Sequence, residues 1–204
     1  MKELAAGVNR FQRDVYPARA ALFAQLATTH RPPALFISCS DARVVPELIT
    51  QREPGELFVI RTAGNLVPPY APGADGVAAS IEYAVGVLGV TDVIVCGHSG
   101  CGAMTALAAG SDLTELPAVA DWLRHAEASK ARTDAGSHPA GAETVAALIR
   151  DNVLSQLANL RTHPSVVRAL AREQLTLHGW VYDIASGAVA ELDATSGQFA
   201  ELVG

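Results

Sequence analysis

The chain has 204 residues, of which 50% are hydrophobic, and a formal net charge of −6 at neutral pH. This length suffices for one well-packed domain, and we expect a single domain over residues 1–204. The acidic balance argues against nucleic acid and anionic membranes as partners and favours a small-molecule substrate. Since we find neither a membrane-spanning segment nor an apolar signal core, we expect a cytoplasmic protein.

The first half of the chain predicts a helical arm followed by alternating strands and helices. Apolar residues at helical spacing predict two N-terminal helices that meet near Pro17. Short apolar, β-prone runs then predict buried parallel strands at 34–39, 57–60 and 92–96. Between these strands we predict a short helix that begins at Pro46 and another from about Gly76.

The second half of the chain predicts one long helix and the end of the sheet. Apolar periodicity predicts a helix from Ala142 to Leu160, and residues 175–184 predict a further strand. A turn at 186–189 leads into a last antiparallel strand. The predicted fold is therefore α/β, a mainly parallel sheet of four strands plus an antiparallel edge strand, with helices on its faces and an N-terminal helical arm.

Two short motifs carry candidate metal ligands. Cys39 ends the first predicted strand, and His98 and Cys101 follow the third on a glycine-rich turn into a helix. Carboxyl ends of parallel strands are where α/β sheets place their sites. Zinc favours thiolate and imidazole ligands, and three protein ligands leave one coordination position for water, as in catalytic rather than structural sites. The two motifs together predict a catalytic Zn²⁺ site.

The same motifs resemble those of a known family. CSDAR at 39–43 and GHSGCG at 97–102 resemble the two zinc motifs of the β-class carbonic anhydrases, and similar stretches at 49–70, 80–85 and 177–184 extend the resemblance over nearly the whole chain. Within the family the chain is most similar to the bacterial enzymes encoded with cyanase. The resemblance implies reversible hydration of CO2 to bicarbonate and a proton by zinc-bound hydroxide, no organic cofactor, and a homodimer or a dimer of dimers.

The resemblance also implies roles for Asp41 and Arg43, next to the first zinc ligand. Two thiolates cancel the charge of Zn²⁺, so the metal alone should lower the pKa of its water less than a three-histidine site does. Asp41 can accept a hydrogen bond from that water, and Arg43 can keep the carboxylate ionised and oriented. In relatives the matching Asp can instead bind zinc. Asp41 is therefore expected either as an orienting group or as a fourth metal ligand.

Further substrate-binding residues follow from the resemblance. Phe58, Ala63 and Tyr83 are expected to line an apolar CO2 pocket, and Gly102 to present a backbone N–H to the substrate. His30 falls where many plant-type relatives carry a Gln that hydrogen-bonds the substrate, so it is expected to bind substrate or to relay the product proton.

The chain departs from some relatives at a position that is linked to regulation by bicarbonate. Relatives with a noncatalytic bicarbonate site have a Trp three residues before the first zinc Cys, whereas this chain has Phe36. Arg61 matches the Arg of that site and Tyr182 offers a nearby tyrosine. We nevertheless expect the open form, in which Arg43 holds Asp41, at neutral pH.

Alternative functions remain. The same metal site could hydrolyse carbonyl sulfide or carbon disulfide, or the chain could be a noncatalytic zinc-stabilised protein. A thiol oxidoreductase would need a C-x-x-C motif, and the glycine-rich turn matches neither common nucleotide-binding pattern.

Cys96 is expected to be a buried thiol and His178 to be structural. Three further histidines are expected to be solvated: His125, His138 and His163.

Overall fold

The structure is a computed structural model that describes residues 1–73, 75–139 and 141–202. The chain divides into two compact units, Met1–Arg31 and Pro32–Gly204. The first unit is helical and none of its helical residues is buried; it comprises α1 (Lys2–Arg10), a π-helical stretch (Phe11–Val15) and α2 (Tyr16–Leu26). The predicted pair of helices is continuous here through the π-helical stretch, and Pro17 follows that stretch in the first turn of α2.

The second unit alternates strands and helices as predicted. Its strands are β1 (Ala34–Cys39), β2 (Leu57–Thr62), β3 (Asp92–His98), β4 (Thr176–Tyr182), β5 (Val189–Leu192) and β6 (Phe199–Glu201). Its helices are α3 (Pro46–Thr50), α4 (Gly76–Glu82, continued by a π-helical turn over Tyr83–Leu88), α5 (Gly102–Ala109), α6 (Pro117–Leu123), α7 (Glu127–Ala135), α8 (Ala142–Leu160) and α9 (Pro164–Ala171). Among the described residues, no helix is both long enough and apolar enough to cross a membrane.

Within the described residues, the strands form one six-stranded sheet in the order β2-β1-β3-β4-β5-β6. The first four are parallel, as predicted, and β5 and β6 are antiparallel. We predicted one antiparallel strand, whereas the structure has two. The second, β6, has only three residues, too few to show an alternation of apolar and polar residues. The turn before β6 resembles the turn before β5 and indicates a further strand. Asp193 accepts hydrogen bonds from the N–H groups of Thr195 and Ser196, and Asp183 accepts one from the N–H of Ser186.

Helix α8 covers one face of the sheet and fixes the end of β3. Its Val153 and Leu157 belong to the main apolar core. Gly97 and Gly179 make the close approach possible, because an added Cβ would lie 3.0 Å from Ile149 Cγ2 at Gly97 and 2.9 Å from Leu157 Cδ1 at Gly179. The strand segment beside His98 is therefore held directly against α8.

The histidine predictions were partly wrong. His163 is only 2% exposed, and its Nε2 lies 3.0 Å from the carbonyl oxygen of Pro68. Pro164 is the first residue of helix α9, which follows shortly after α8. His163 therefore lies between two packed helices, and its side chain is buried. His125 is half-buried against the Trp122 ring, whereas His138 is exposed as predicted.

Candidate metal centre

The carboxyl ends of β1 and β3 bring the predicted ligands together. Strand β1 ends at Cys39, its parallel neighbour β3 ends at His98, and Cys101 precedes the first residue of α5. The three side chains are buried, and their two sulfurs and one ring nitrogen lie within 4.8 Å of one another. This is close enough for one ion to contact all three.

His98 offers a nitrogen that no protein group satisfies. Its side chain is fully buried, and Nδ1 lies 3.0 Å from the carbonyl oxygen of Ser99, to which an N–H at that position donates. In that tautomer Nε2 carries a lone pair, and within the described structure Nε2 has no hydrogen-bond partner. A buried polar atom left unpaired costs about 1–3 kcal/mol, which a metal ion at Nε2 would remove. Two thiols and one imidazole are also the donor set that zinc prefers, so the residues fit this metal.

The two thiols share a proton in the protein alone. Hydrogen bonding from Cys101 lowers the pKa of the Cys39 thiol despite burial, with help from backbone N–H groups that include that of Gly64. The same contact with Cys39, together with burial, raises the pKa of Cys101. Binding of a metal to both sulfurs would release the proton that the pair retains.

Asp41 lies beside the ligands and is bound by Arg43. Its Oδ2 is 4.0 Å from His98 Nε2 and accepts a 2.6 Å hydrogen bond from Arg43 Nη2. Its Oδ1 accepts two more at 2.9 Å, from Nε and the backbone N–H of Arg43. These bonds hold the pKa of Asp41 well below its usual range. Arg43 Nη2 also donates to the carbonyl oxygen of Gly100, so this guanidinium links the two metal-ligand loops.

Arg61 holds the loop that carries Asp41. Its guanidinium donates to the carbonyl oxygens of Cys39, Asp41 and Val44 at 3.1, 2.6 and 2.8 Å. Three carbonyls on one side chain fix the backbone path after β1. Sequence reasoning noted Arg61 only through the resemblance and missed this contact, because nothing local in the sequence pairs residue 61 with residues 39–44.

Amide side chains on α8 hold the loop that follows β2. Asn152 Nδ2 donates to the carbonyl oxygen of Gly64 at 2.9 Å, and the Val67 N–H donates to Gln156 Oε1 at the same distance. Asn159 Nδ2 donates to the Val67 carbonyl oxygen at 2.8 Å. Sequence reasoning missed these amides because it considered only the apolar residues of this helix. Their i, i+4, i+7 spacing places the three amides on one face of the helix and could have indicated a shared role.

The predicted substrate-binding residues fall into two groups. Gly102 is the first residue of α5, and Ala63 precedes Gly64, whose N–H donates to Cys39 Sγ, so both lie near the ligands. Phe58 pairs with Leu35, four residues before Cys39 on β1, and therefore lies about 13 Å along the strand from the ligand level.

Of the other two residues of that set, Tyr83 accompanies Phe58 and His30 belongs to a different compact unit from the ligands. The Tyr83 ring lies 6.1 Å from the Phe58 ring and accompanies it. His30 belongs to the N-terminal unit, outside the unit that holds the three ligands.

In the region expected for a second bicarbonate site, an aromatic cluster borders a cavity of about 570 Å³ that Phe36 and Trp180 help to line. Phe36 is fully buried, with the Trp180 ring 5.9 Å away in an edge-on arrangement. Tyr182 packs against the same small cluster, and Cys96 is fully buried as predicted, with a pKa that burial raises to about 12. The Cys96 thiol is consequently a packing group.

Comparison with known proteins agrees with this geometry. Residues 34–189 match the carbonic anhydrase family. The carbonic anhydrase of Pseudomonas aeruginosa is 61% identical over 202 residues, 99% of this chain and 92% of that protein. The β-carbonic anhydrase CcaA superposes with a TM-score of 0.95 at 43% identity, covering 99% of both chains. One of two tetrameric β-carbonic anhydrases from Sordaria macrospora gives a TM-score of 0.82 at 29% identity, covering 95% of this chain and 96% of that one. The chain therefore belongs to the β-class carbonic anhydrases, the zinc-dependent lyases that hydrate carbon dioxide.

Proposed function

We propose that this chain hydrates carbon dioxide reversibly to bicarbonate and a proton, at a zinc ion held by Cys39, His98 and Cys101. The observation that carries the proposal is the buried Nε2 of His98, which lacks a protein partner and lies in one group with two thiols. Bound zinc supplies a Lewis acid that lowers the pKa of a coordinated water. No other cofactor is needed for this reaction.

Asp41 is proposed as the orienting group rather than a fourth ligand. Arg43 engages Oδ1 twice and Oδ2 once, so Oδ2 keeps a free acceptor position on the oxygen that lies 4.0 Å from His98 Nε2. An ionised carboxylate accepts hydrogen bonds and donates none. Asp41 therefore selects a reactant that presents an O–H, such as water or the hydroxyl of bicarbonate, and it orients that group towards the site.

Arg43 and Gly102 are proposed to complete the polar side of the site. Arg43 keeps Asp41 charged and ties it to the Gly100 carbonyl, so the acceptor cannot rotate away. Gly102 opens α5, and its backbone N–H is proposed to donate to an oxygen of the product anion. Ala63 lies on the loop beside Cys39, where its methyl group suits an apolar reactant.

Phe58 and Tyr83 are proposed to line the CO2 pocket of a second copy of the chain. They contact each other about 13 Å along the sheet from the ligands of their own chain, too far to touch a reactant there. The expected homodimer, or dimer of dimers, would bring them to the partner's site. His30 is proposed to serve substrate binding or proton relay.

Intersubunit complementation tests the shared pocket. Neither a His98→Gln chain nor a Phe58→Ala/Tyr83→Ala chain should be active alone. A co-expressed mixed dimer should recover activity, because one of its two sites would combine intact ligands from one chain with Phe58 and Tyr83 from the other. No recovery in a purified mixed dimer would contradict the proposal.

Three wider proposals concern the domain organisation, the cellular location and the metabolic role of the chain. The whole chain, residues 1–204, is proposed to act as one functional domain, with the N-terminal unit as its arm. The three cysteines form no disulfide within the described residues, which supports a reducing, cytoplasmic location. The resemblance to the enzymes encoded with cyanase supports a role in supplying bicarbonate for cyanate metabolism. Growth on cyanate of a strain that lacks this protein, with and without added CO2, tests that role.

Stopped-flow CO2 hydration with parallel zinc analysis tests the main proposal. We expect one zinc per chain and hydration that disappears when the metal is chelated and returns when it is restored. Carbon disulfide turnover is measured on the same samples. Full zinc loading without CO2 hydration would indicate a noncatalytic protein, and faster turnover of carbon disulfide would indicate a hydrolase.

A further inference from the structure

Cys39 accepts a hydrogen bond from the backbone N–H of Gly64, with a nitrogen–sulfur distance of 3.4 Å. Gly64 lies just after β2 with a left-handed φ of 72°. An added Cβ would lie 3.0 Å from Ala103 Cβ and 3.1 Å from Met104 Cε. Both the backbone angle and the close contact therefore require glycine at this position.

Trp122 holds the peptide group that supplies this N–H. The carbonyl of Ala63 and the N–H of Gly64 belong to one peptide group, and the indole Nε1 of Trp122 donates to the Ala63 oxygen at 2.9 Å. Hydrogen bonds in series polarise one another, so a donor on the carbonyl strengthens the N–H at the other end. The indole, the peptide and the Cys39 sulfur thus form one chain of hydrogen bonds.

Asn152 holds the next peptide group. Its Nδ2 donates to the Gly64 carbonyl oxygen at 2.9 Å. The orientation of this fully buried amide is fixed, since its Oδ1 accepts from Gln156 Nε2 at 2.9 Å and from Ser129 Oγ at 3.2 Å. Gly64 is consequently restrained on both sides, by α6 through Trp122 and by α8 through Asn152.

We propose that Trp122 and Asn152 are positioning residues that keep the Gly64 N–H on the Cys39 sulfur and so limit how much charge this thiolate donates to the metal. The inference rests on the proposed metal site. Two thiolates already neutralise a divalent ion, and an N–H···S bond draws electron density from one of them. The ion then keeps more of its Lewis acidity, as expected when outer groups tune a ligand.

The experiment uses the full-length protein loaded with Co²⁺, in which the sulfur-to-cobalt charge-transfer band reports the electron density on the thiolates. Trp122→Phe removes the indole N–H and keeps a ring. Asn152→Asp removes the amide donor at nearly constant shape, and Asn152→Ala provides a second variant. Competition with a chelator checks that each variant still binds the metal.

Two controls separate positioning from general packing. Trp180→Phe removes an indole N–H that donates to Glu191 at 3.2 Å. Asn159→Asp removes an amide hydrogen bond to the neighbouring Val67 carbonyl and a longer one, at 3.2 Å, to Gln156 Oε1, on the same helix as Asn152. Neither control side chain contacts Gly64 through a described hydrogen bond.

We expect the band of the Trp122 and Asn152 variants to move to lower energy, because Cys39 then donates more charge to the metal, while both controls keep the wild-type band. An unchanged band in Trp122→Phe, or equal shifts in the controls, would overturn the inference. Trp122→Phe decides the matter if the Asn152 variants do not fold. Absence of any thiolate band in the wild-type protein would instead refute the proposed metal site itself, and this inference with it.

Discussion

His98 and His178 lie on neighbouring strands of one sheet, yet their surroundings differ in the feature that marks a ligand. Both ring nitrogens of His178 lie near carboxylates, with Nε2 2.9 Å from Asp92 Oδ1 and Nδ1 3.0 Å from Glu191 Oε1. His98 has a carbonyl at Nδ1 and no protein partner at Nε2. A histidine satisfied on both sides ties strands together, whereas one with a buried unpaired nitrogen is prepared for a metal.

The largest effect is expected from His98→Gln, which directly tests one half of this comparison. Loss of the imidazole leaves two thiols and no third protein ligand, so zinc affinity should fall by more than the 10–100-fold typical of outer-shell changes. CO2 hydration should fall with it. Metal analysis and stopped-flow assays on the purified variant provide the check, and full zinc content with normal activity would remove His98 from the ligand set.

Asp41→Asn is expected to have the next largest effect. The amide keeps the shape of the side chain but can turn an N–H towards the reactant, so zinc should remain bound while kcat/KM falls about 10²-fold or more. Loss of zinc together with activity would indicate that Asp41 is itself a ligand. Near-normal turnover would exclude it from the mechanism.

Low pH should disrupt the Asp41–Arg43 pair. Arg43 lowers the pKa of Asp41, so the stabilisation from this pair is complete above the ordinary pKa of an aspartate and is lost as the pH falls through the lowered value. Asp41→Asn should therefore flatten the acid limb of the stability profile. Thermal unfolding of both proteins from neutral to acidic pH measures this difference.

His30→Gln should have a smaller effect on activity. If His30 relays the product proton, kcat at low buffer concentration should fall by less than about tenfold and recover with added buffer, below the usual range for a direct general acid or base. The buffer dependence of kcat is the measurement. An unchanged dependence would eliminate the relay and leave substrate binding as the remaining role.

His178→Gln should have the smallest effect, none on CO2 hydration. The change weakens the links from β4 to Asp92 and Glu191, a loss of about 1 kcal/mol that corresponds to a Tm lower by about 2–4 °C. Calorimetry and the hydration assay on the same sample measure both quantities. Reduced turnover at unchanged zinc content would show that His178 affects the site and that the contrast with His98 is too simple.

The sequence by itself determined the parts of this protein that depend on neighbouring residues. Short apolar runs predicted the first four strands, and the ligands could be recognised because Cys39 and His98 end strands and Cys101 follows within the same turn. Since parallel strands end at the same edge of a sheet, local patterns were enough to bring these ligands together.

Only the tertiary structure decided what surrounds the ligands. Asn152 meets Gly64 across 88 positions of sequence, and Arg61 meets Asp41 across 20. Phe58 proved distant from the ligands of its own chain, and His163 proved buried. Such contacts depend on how α8 and the loops pack on the sheet, and side-chain hydrogen bonds between distant segments leave no periodic signal. The chain sequence thus specified the metal ligands, while packing specified the groups that hold and tune them.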